Sequence, residues 1–349
     1  MKYTGCADSV DIAEHIKKFK YSSKRKEEVL NKLHLNLNSS EEIIQKCEKL
    51  NKQAWRKNMK DIYIKSPYNW IGNKNKIMPQ LQKIFPPNID TLVDFFCGGC
   101  DVAINTPALH VIAIDVNQYL IDMLKAFQSN TLAQILNFID SRIKEFNLSK
   151  ENEEGFLRYR EAYNTDENYQ TPLDLFTLTR FSFHFTMRFN KQMKFNAGFG
   201  RKYSNFSARQ RETIKPFHQR IQNVELLNMN FLDVNLMNFE AKTHFLYFDP
   251  PYLITNNVYN NGVEEAWQRW DEQDEQNLLN YISNAHKLGF KFALSNVIQH
   301  RGKTNNLLAN WIEKNNFNIF EITNDGYSHC THTVSQDAAP TREIVVTNY

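Results

Sequence analysis

Short apolar runs separated by polar turns recur along the later part of the chain. They are rich in β-branched and aromatic residues, which is typical of strands: "TLVDFF" (91–96), "HVIAIDV" (110–116), "VELLNM" (224–229), "HFLYF" (244–248) and "FKFALSN" (290–296). Apolar residues at helical spacing follow the second run, at Tyr119, Leu120, Met123, Leu124 and Phe127. Others precede the fifth run, at Leu278, Leu279, Ile282 and Ala285. This alternation predicts an α/β fold whose mostly parallel sheet is covered by helices on both faces.

The alternation is interrupted once and preceded by a different kind of segment. Helical patterns and loops replace strands from about 130 to 222, whereas the ending "REIVVTNY" alternates like a last strand, which can run antiparallel. We therefore predict a core at 62–130 and 223–349 with a helical insertion at 131–222. Residues 1–61 are polar and helical in pattern, with a Ser39/Glu42 capping box, and form a basic N-terminal extension.

Composition narrows the class of protein. The chain has 349 residues and 42% apolar composition, enough for a large core. It has no uninterrupted apolar stretch of about 18 residues and no apolar signal segment at its start, so we expect a cytoplasmic protein without a membrane partner. Its five cysteines are odd in number, and the pair Cys97 and Cys100 has no second pair at zinc-site spacing. We interpret all five as reduced thiols and expect no metal.

Positive charge is unevenly distributed. Residues 1–61 carry 14 Lys/Arg against 9 Asp/Glu, and residues 180–220 carry ten against one, interleaved with nine Phe/Tyr. Phosphate contacts combined with aromatic platforms for unstacked bases would produce this pattern, so a nucleic acid is the expected partner. The alternative is a small aromatic core with a solvated basic rim.

Two strand ends have the features of a nucleoside cofactor site. In "LVDFFCGGCD" a strand ends at Asp94 and Phe95, and Gly98 and Gly99 form a turn that can approach a ligand closely. The next strand ends in Asp115, placed to accept both hydroxyls of a ribose. An ordinary turn and a helix cap are the alternatives, although Asn117 could cap that helix instead. Upstream, Trp70 and Lys74 could cover the other end of a cofactor, or belong to a surface loop.

The tetrapeptide "DPPY" (249–252) follows a predicted strand directly. Pro250 and Pro251 fix the backbone, so the Asp249 carboxylate and the Pro250 carbonyl can face one point, while Tyr252 supplies a flat ring. Two acceptors beside a ring suit an exocyclic amino group on a planar base. Because the lone pair of such an amine is delocalised, acceptors that stabilise positive charge on its nitrogen would favour its attack on an electrophile.

In this order, the segments resemble the DNA adenine methylase (Dam) family, the alpha class of adenine-specific DNA methyltransferases. The blocks are "WIGNK" (70–74), "DFFCGG" (94–99), "DVN" (115–117), the basic insertion and "DPPY". "RFNKQMKFNAGFGRKY" resembles the family's signature inside the recognition region, and "TREIVVTNY" resembles its closing strand. The resemblance covers about residues 62–349. It implies a Rossmann-like core that uses S-adenosylmethionine, with 131–222 as an inserted helical target-recognition domain.

The resemblance also implies roles for individual residues. Those implied to bind the cofactor are Trp70, Lys74, Asp94, Phe95, Gly98, Gly99, Asp115, Asn230, Phe231 and Asp249. The catalytic motif is Asp249, Pro250, Pro251 and Tyr252. Residues implied to contact DNA are Arg188, Asn190, Lys194, Asn196, Arg201 and Lys202. The chain departs from the family pattern at Asn73, which replaces a glycine, and at Asn230, where relatives often have Asp, and its residues 1–61 have no counterpart in the shortest members.

The expected function is transfer of a methyl group to the 6-amino group of an adenine flipped out of double-stranded DNA. Such an enzyme would be the monomeric modification enzyme of a restriction-modification system, acting separately from an endonuclease, or an orphan or phage methylase. One alternative is the same chemistry on the 4-amino group of cytosine. The other is a DNA-binding protein that keeps the fold without turnover.

Overall fold

The computed structural model describes residues 63–68, 70, 72–201, 205–255, 270–323 and 341–349. The chain divides into two compact units, Met1–Ile62 and Tyr63–Tyr349. The predicted helical segment at 1–61, including its Ser39/Glu42 capping box, lies outside the described residues. All of the described residues belong to the second unit.

A single mixed sheet runs through this unit. In the described part of the chain its strands are β1 Ile89–Phe95, β2 Ala108–Asp115, β3 Val224–Asn228, β4 His244–Phe248, β5 Lys291–His300, β6 Lys303–Thr304, β7 Asn318–Glu321 and β8 Arg342–Thr347. Their order is β3-β2-β1-β4-β5-β8-β7, and the short β6 pairs with β5.

The first five strands are parallel, and the direction of chain progression reverses at β1. From β1 the chain moves outward through β2 to β3, then returns to place β4 and β5 on the other side of β1. β8 runs antiparallel to both β5 and β7. Ligands of open parallel sheets bind in the crevice beyond the carboxyl ends of the strands where this reversal occurs, here between β1 and β4.

Helices cover both faces of the sheet. They are α1 Met78–Ile84, α2 Asp101–Asn105, α3 Gln118–Ser129, α4 Leu132–Glu145, α5 Glu153–Thr165, α6 Pro172–Phe181, α7 Ala208–Ile221, α8 Glu272–Lys287 and α9 Asn306–Asn315. α1 to α7 contribute to one buried apolar cluster, and α8 and α9 contribute to a second. Among the residues described, none of the helices is long and apolar enough to cross a membrane.

The strands read as apolar runs because both of their faces are buried. Side chains alternate between faces along a strand, so Leu92 and Phe245 join the first cluster while Val93 and Leu246 join the second. Asp94 and Asp115 stand at or next to the carboxyl ends of β1 and β2, where they can serve a ligand, whereas Ser295 and Asn296 are buried polar residues within β5.

The predicted strand-helix alternation and fold class are confirmed, including an antiparallel last strand. α4 to α7 lie between α3 and β3, in the segment predicted as the insertion. Its boundaries as a recognition domain remain a prediction. The prediction omitted β7 and α9, whose sequence, "NNLLANWIEKNNFNIFE" (305–321), is polar enough to resemble a surface segment.

Candidate active site

A cavity of about 280 Å³ lies at the sheet edge where β1, β2 and β4 end. It brings together residues that are far apart in sequence. The predicted site residues that line it are Trp70, Lys74, Asp94, Gly98, Gly99, Asp115, Asn230, Phe231, Asp249, Pro250, Pro251 and Tyr252. Phe95 is not among the lining residues, because it is fully buried and its ring stacks on Phe248 at 4.6 Å.

The turn after β1 depends on left-handed backbone conformations. Phe96, Gly98 and Cys100 have φ of 61°, 49° and 65°. A Cβ atom at Gly98 would lie 2.6 Å from Cδ1 of Trp70, closer than real Cβ contacts allow. Glycine at 98 therefore permits both the turn and the approach of the Trp70 ring, which forms part of the cavity wall.

Cys97 and Cys100 frame this turn as free, buried thiols, which confirms the prediction for these two cysteines. Cys6, Cys47 and Cys330 lie outside the described residues. The pKa of the Cys97 thiol lies well above its usual value. The hydrogen bond with Cys100 is the largest cause, and burial is the second. Within the described ranges, no group of three or more His, Cys, Asp or Glu side chains is arranged to hold a metal ion.

Asp94 presents an incompletely bonded carboxyl group to the cavity. It is 2% exposed, and its Oδ2 atom has no hydrogen-bond partner among the described residues. Burial, and then the nearby Asp249 carboxylate, raise its pKa well above the usual value, against the lowering effect of the Ala103 backbone N–H. A positively charged donor entering the cavity would satisfy this oxygen and favour its ionised form.

Asp115 is held by backbone N–H groups at the end of β2. Its Oδ2 accepts from Gly98 N at 3.0 Å and its Oδ1 from Asn117 N at 2.9 Å. Burial raises the pKa of this carboxyl, and the Asn117 and Gly98 N–H groups partly oppose that shift. Asn117, not Asp115, caps α3, because its side chain accepts from Leu120 N. The capping alternative for Asp115 is therefore wrong.

An apolar patch beyond the ends of β2 and β3 faces the same cavity. Val116, Met229 and Leu232 line it and are 39%, 37% and 49% exposed. The side chain of Asn230 accepts from Leu232 N and so holds the turn that presents Phe231. Exposed apolar side chains on a cavity wall indicate contact with a flat apolar surface. Sequence reasoning missed Val116, Met229 and Leu232, because nothing in the pattern separates them from core positions.

Asp249 lies at the end of β4 between two donors. Its Oδ2 is 2.6 Å from Lys74 Nζ, and its Oδ1 is 3.1 Å from the hydroxyl of Tyr252. Burial raises the pKa of the Asp249 carboxyl, and the adjacent Lys74 ammonium opposes this shift. The same ammonium also donates to the Gly72 carbonyl. Lys74 thus links the two segments that the sequence predicted to meet, and the Asp249 side chain, 17% exposed, remains accessible from the cavity.

Asn73, which replaces a glycine of the family pattern beside Lys74, fits the local backbone without strain. Gly72 has φ of 80°, whereas Asn73 is not among the residues with positive φ. Asn73 instead donates from its backbone and side chain to the Trp70 carbonyl. Only the first of the two positions in this turn therefore requires glycine.

A buried carboxyl group anchors the remaining wall of the cavity. Trp270 lines the cavity and packs against Phe96 and Phe231. Its Nε1 donates to Glu275 Oε2 at 2.8 Å. The other oxygen of Glu275, which is fully buried, accepts from Asn305 at 2.9 Å and Asn296 at 3.0 Å. Sequence reasoning missed this network, since its members lie in three separate segments of the chain.

The basic segment forms a hairpin-like strap, residues 181–200, held by bridges between Ser182 and Phe199 and between Phe189 and Phe195. The Asn190 side chain accepts from the backbone N–H groups of Gln192 and Lys194 and so shapes the tip. Of the residues predicted to contact DNA, Arg188, Lys194 and Arg201 are exposed and Asn190 and Asn196 are partly buried. Lys202 lies outside the described residues.

The interpretation of the interleaved aromatic rings as platforms for bases is largely wrong. Phe189, Phe195 and Phe199 are buried, and Phe189 stacks on Tyr119 at 4.5 Å. Phe183, by contrast, is 55% exposed. The alternating aromatic and basic pattern therefore describes mainly an aromatic core beneath a solvated basic rim.

Comparison with known proteins identifies the family. A family model of D12 class N6 adenine-specific DNA methyltransferases matches residues 70–325. The chain is 38% identical over 291 residues to the modification methylase StsI of Streptococcus sanguinis, 37% over 289 residues to the type II methyltransferase M.FokI of Planomicrobium okeanokoites, and 34% over 286 residues to the modification methylase LlaI of Lactococcus lactis subsp. lactis. Each alignment covers 82% of this chain but 43% of the relative, so the chain spans less than half the length of these proteins. Because the family model covers most of the chain and spans all the segments around the cavity, the chain belongs to the D12 class of N6 adenine-specific DNA methyltransferases.

Proposed function

We propose that this protein is a site-specific DNA methyltransferase that transfers a methyl group from S-adenosylmethionine to the 6-amino group of an adenine flipped out of double-stranded DNA. The observation that carries the proposal is the shared cavity. Asp249 and its prolines at the end of β4 face the same space as Asp115 and the Gly98 turn. An acceptor group for a base and a binding site for a nucleoside are thus next to each other.

The residues around the cavity fit S-adenosylmethionine. The Oδ2 atom of Asp94, which has no hydrogen-bond partner in the part of the chain that the structure describes, would receive the cofactor's ammonium group, and Asp115 would accept from its ribose hydroxyls. The exposed side chains of Val116, Met229 and Leu232 would cover its adenine ring. Trp70, Lys74, Gly98, Gly99, Asn230 and Phe231 complete the proposed binding set, with Phe95 supporting it from the core.

When bound, S-adenosylmethionine supplies an activated methyl group. The amino nitrogen of adenine attacks poorly, because its lone pair is delocalised into the ring. The Asp249 carboxylate and the Pro250 carbonyl would accept from its two hydrogens, favouring a tetrahedral nitrogen and stabilising the positive charge that develops on it. Pro251 holds this geometry, and the Tyr252 ring would lie against the flipped base.

DNA binding is proposed for the strap and the residues that follow it. The side chains of Arg188, Lys194 and Arg201 are exposed, and Lys202 continues the basic sequence. These cations would neutralise phosphates. Asn190 and Asn196 would contact the DNA from the same strap. Phe183 adds one exposed ring that can meet an unstacked base.

The biological role proposed is that of a modification enzyme. StsI, M.FokI and LlaI carry the names of modification methylases and of a type II methyltransferase. By this proposal, the protein acts as a monomer, and any cognate endonuclease cleaves the same site separately.

A methyl-transfer assay tests the proposal directly. Duplex DNA treated with the protein and radiolabelled S-adenosylmethionine is digested to nucleosides and separated. We expect the label in N6-methyl-2′-deoxyadenosine. Label in N4-methyl-2′-deoxycytidine would assign the chemistry to cytosine, and DNA binding without any transfer would indicate a protein that keeps the fold without turnover. Sequencing of plasmid DNA from expressing cells with a method that detects modified bases would identify the recognised site.

A further inference from the structure

The hydroxyl group of Tyr252 lies between two carboxyl groups. Its oxygen is 3.1 Å from Asp249 Oδ1 and 3.1 Å from Glu343 Oε1. A tyrosine hydroxyl carries one hydrogen, so it can donate to only one of these oxygens. The second contact is a hydrogen bond only if the other carboxyl group is protonated and donates to the Tyr252 oxygen.

Lys74 determines which carboxyl group holds that proton. Its ammonium contacts Asp249 directly at 2.6 Å, which favours the ionised form of that carboxyl. Glu343 is 1% exposed, and burial raises its pKa against the smaller opposing effects of Lys74 and Tyr252. Burial also raises the pKa of Asp249, but there the direct ion pair counteracts it. The proton therefore belongs on Glu343.

We propose that Glu343 is a positioning residue of the methyl-transfer site, whose neutral carboxyl group donates to the Tyr252 oxygen and so directs the Tyr252 hydroxyl proton onto Asp249. This inference rests on the proposed function. It also gives a role to the closing segment "TREIVVTNY", in which Glu343 is a buried acid that precedes the apolar residues of β8.

The proposed arrangement fixes the acceptor in place. Asp249 receives a hydrogen bond on Oδ1 from Tyr252 and an ion pair on Oδ2 from Lys74, so its carboxylate is held in one orientation. The remaining lone pairs of its oxygens can accept from the amino group of the base. An ionised Glu343 would compete for the Tyr252 proton and release one of the two constraints on Asp249.

Two substitutions test whether position 343 requires a neutral group that can form a hydrogen bond. Glu343→Gln keeps a neutral group with an N–H donor, whereas Glu343→Met keeps the approximate volume without a donor. We expect Glu343→Met to lower the single-turnover rate of methyl transfer at least about tenfold, and Glu343→Gln to restore it to within about threefold of wild type. A Gln variant as slow as the Met variant would overturn the proposal.

A double-substitution cycle tests whether Glu343 acts through Tyr252. In a Tyr252→Phe background the hydroxyl is absent, so the Met and Gln variants at 343 should transfer methyl groups at equal rates. An undiminished difference in that background would show that Glu343 acts by another route. Thermal unfolding of each variant measures its general stability. A loss of stability alone would not make the difference in rate between the Gln and Met variants depend on the Tyr252 hydroxyl.

Infrared spectroscopy provides a measurement that does not depend on activity. The difference spectrum between wild-type protein and Glu343→Gln should contain the carbonyl stretch of a protonated carboxyl group, shifted on exchange into D₂O. If the difference contains only carboxylate bands, Glu343 is ionised and the inference is wrong. Because this spectrum needs neither DNA nor cofactor, it remains decisive even if the protein methylates no DNA.

Discussion

The two sides of the cavity hold their acids in different ways. At the end of β4, Asp249 is bonded to the ionisable side chains of Lys74 and Tyr252. At the end of β2, one strand beyond β1, Asp115 is bonded to the backbone N–H groups of Gly98 and Asn117. Burial raises the pKa of both carboxyl groups.

The difference matches what each acid is proposed to do. Backbone N–H groups cannot change their charge or move far, so they suit a binding contact that stays the same throughout a reaction. Lys74 favours the ionised form of Asp249 and Tyr252 helps to orient it, so that a negative charge would lie beside the nitrogen on which positive charge develops. Loss of Asp249 should therefore affect the rate, and loss of Asp115 should affect binding.

The largest effect is expected for Asp249→Ala. Its interaction with the amino nitrogen strengthens as charge grows there, so its removal should lower the single-turnover rate of methyl transfer on the order of a thousandfold. The measurement uses saturating S-adenosylmethionine, because the cofactor also lies near this position in the proposed complex. A rate within tenfold of wild type would contradict the acceptor role, and DNA affinity, measured in parallel, should change far less.

Asp115→Ala should have the opposite profile. Its loss would leave the two ribose hydroxyls without their acceptor, at a cost of roughly 2 kcal/mol. We expect S-adenosylmethionine to bind at least about tenfold more weakly by calorimetry, with a single-turnover rate at saturation much closer to wild type than that of Asp249→Ala. Unchanged affinity would remove Asp115 from the binding site and end the contrast between the two acids.

The strand ends were the most predictable part of the site. In a parallel sheet, each acid that follows an apolar run lies at the same edge, so Asp94, Asp115 and Asp249 could be placed together from their positions in the sequence alone. The paired prolines and the two glycines added backbone constraints that their residue types dictate.

Residues that act across the fold could not be found in this way. Glu343 reaches Tyr252 from β8, and Glu275 reaches Asn296 and Asn305, only because the fold brings distant segments together. The aromatic rings of the strap were wrongly interpreted as exposed platforms for a related reason. Alternation of aromatic and basic residues fits an exposed binding surface as well as a core with a charged rim, and tertiary packing decides between them.

A smaller effect on the cofactor side is expected for Glu275→Gln. The Glu275 carboxylate accepts from three N–H donors, whereas the amide of glutamine would direct its own N–H groups toward at least one of them. The Trp270 wall should loosen, changing its fluorescence and weakening S-adenosylmethionine binding about threefold to tenfold. Glutamine should thus be poorly tolerated at 275 although it is expected to serve at 343.

Helix α8 offers a matched control for that substitution. Trp311 Nε1 donates to Ser283 Oγ at 2.8 Å, and neither residue lines the cavity. Ser283→Ala therefore removes a tryptophan contact of the same kind from the same helix. It should lower thermal stability without altering cofactor affinity, and an equal loss of affinity in both variants would show that Glu275 acts only through general stability.

The smallest effect concerns the two basic residues that directly follow the strap, Arg201 and Lys202, whose charges should matter to neither side of the cavity. If Arg201 and Lys202 contact phosphates, neutralising both as Gln should reduce the slope of log affinity for DNA against log salt concentration by roughly one to two units. Cofactor affinity and the rate at saturating DNA should stay near wild type, because no contact that holds Asp249 or Asp115 involves Arg201 in the described structure.

Neutralising Lys287 and Lys314, two exposed lysines on α8 and α9, removes the same charge from the helices of the second apolar cluster and provides the control. Equal changes of slope in the two double variants would mean that DNA affinity depends only on total charge, and Arg201 and Lys202 would then lose their assignment as phosphate contacts.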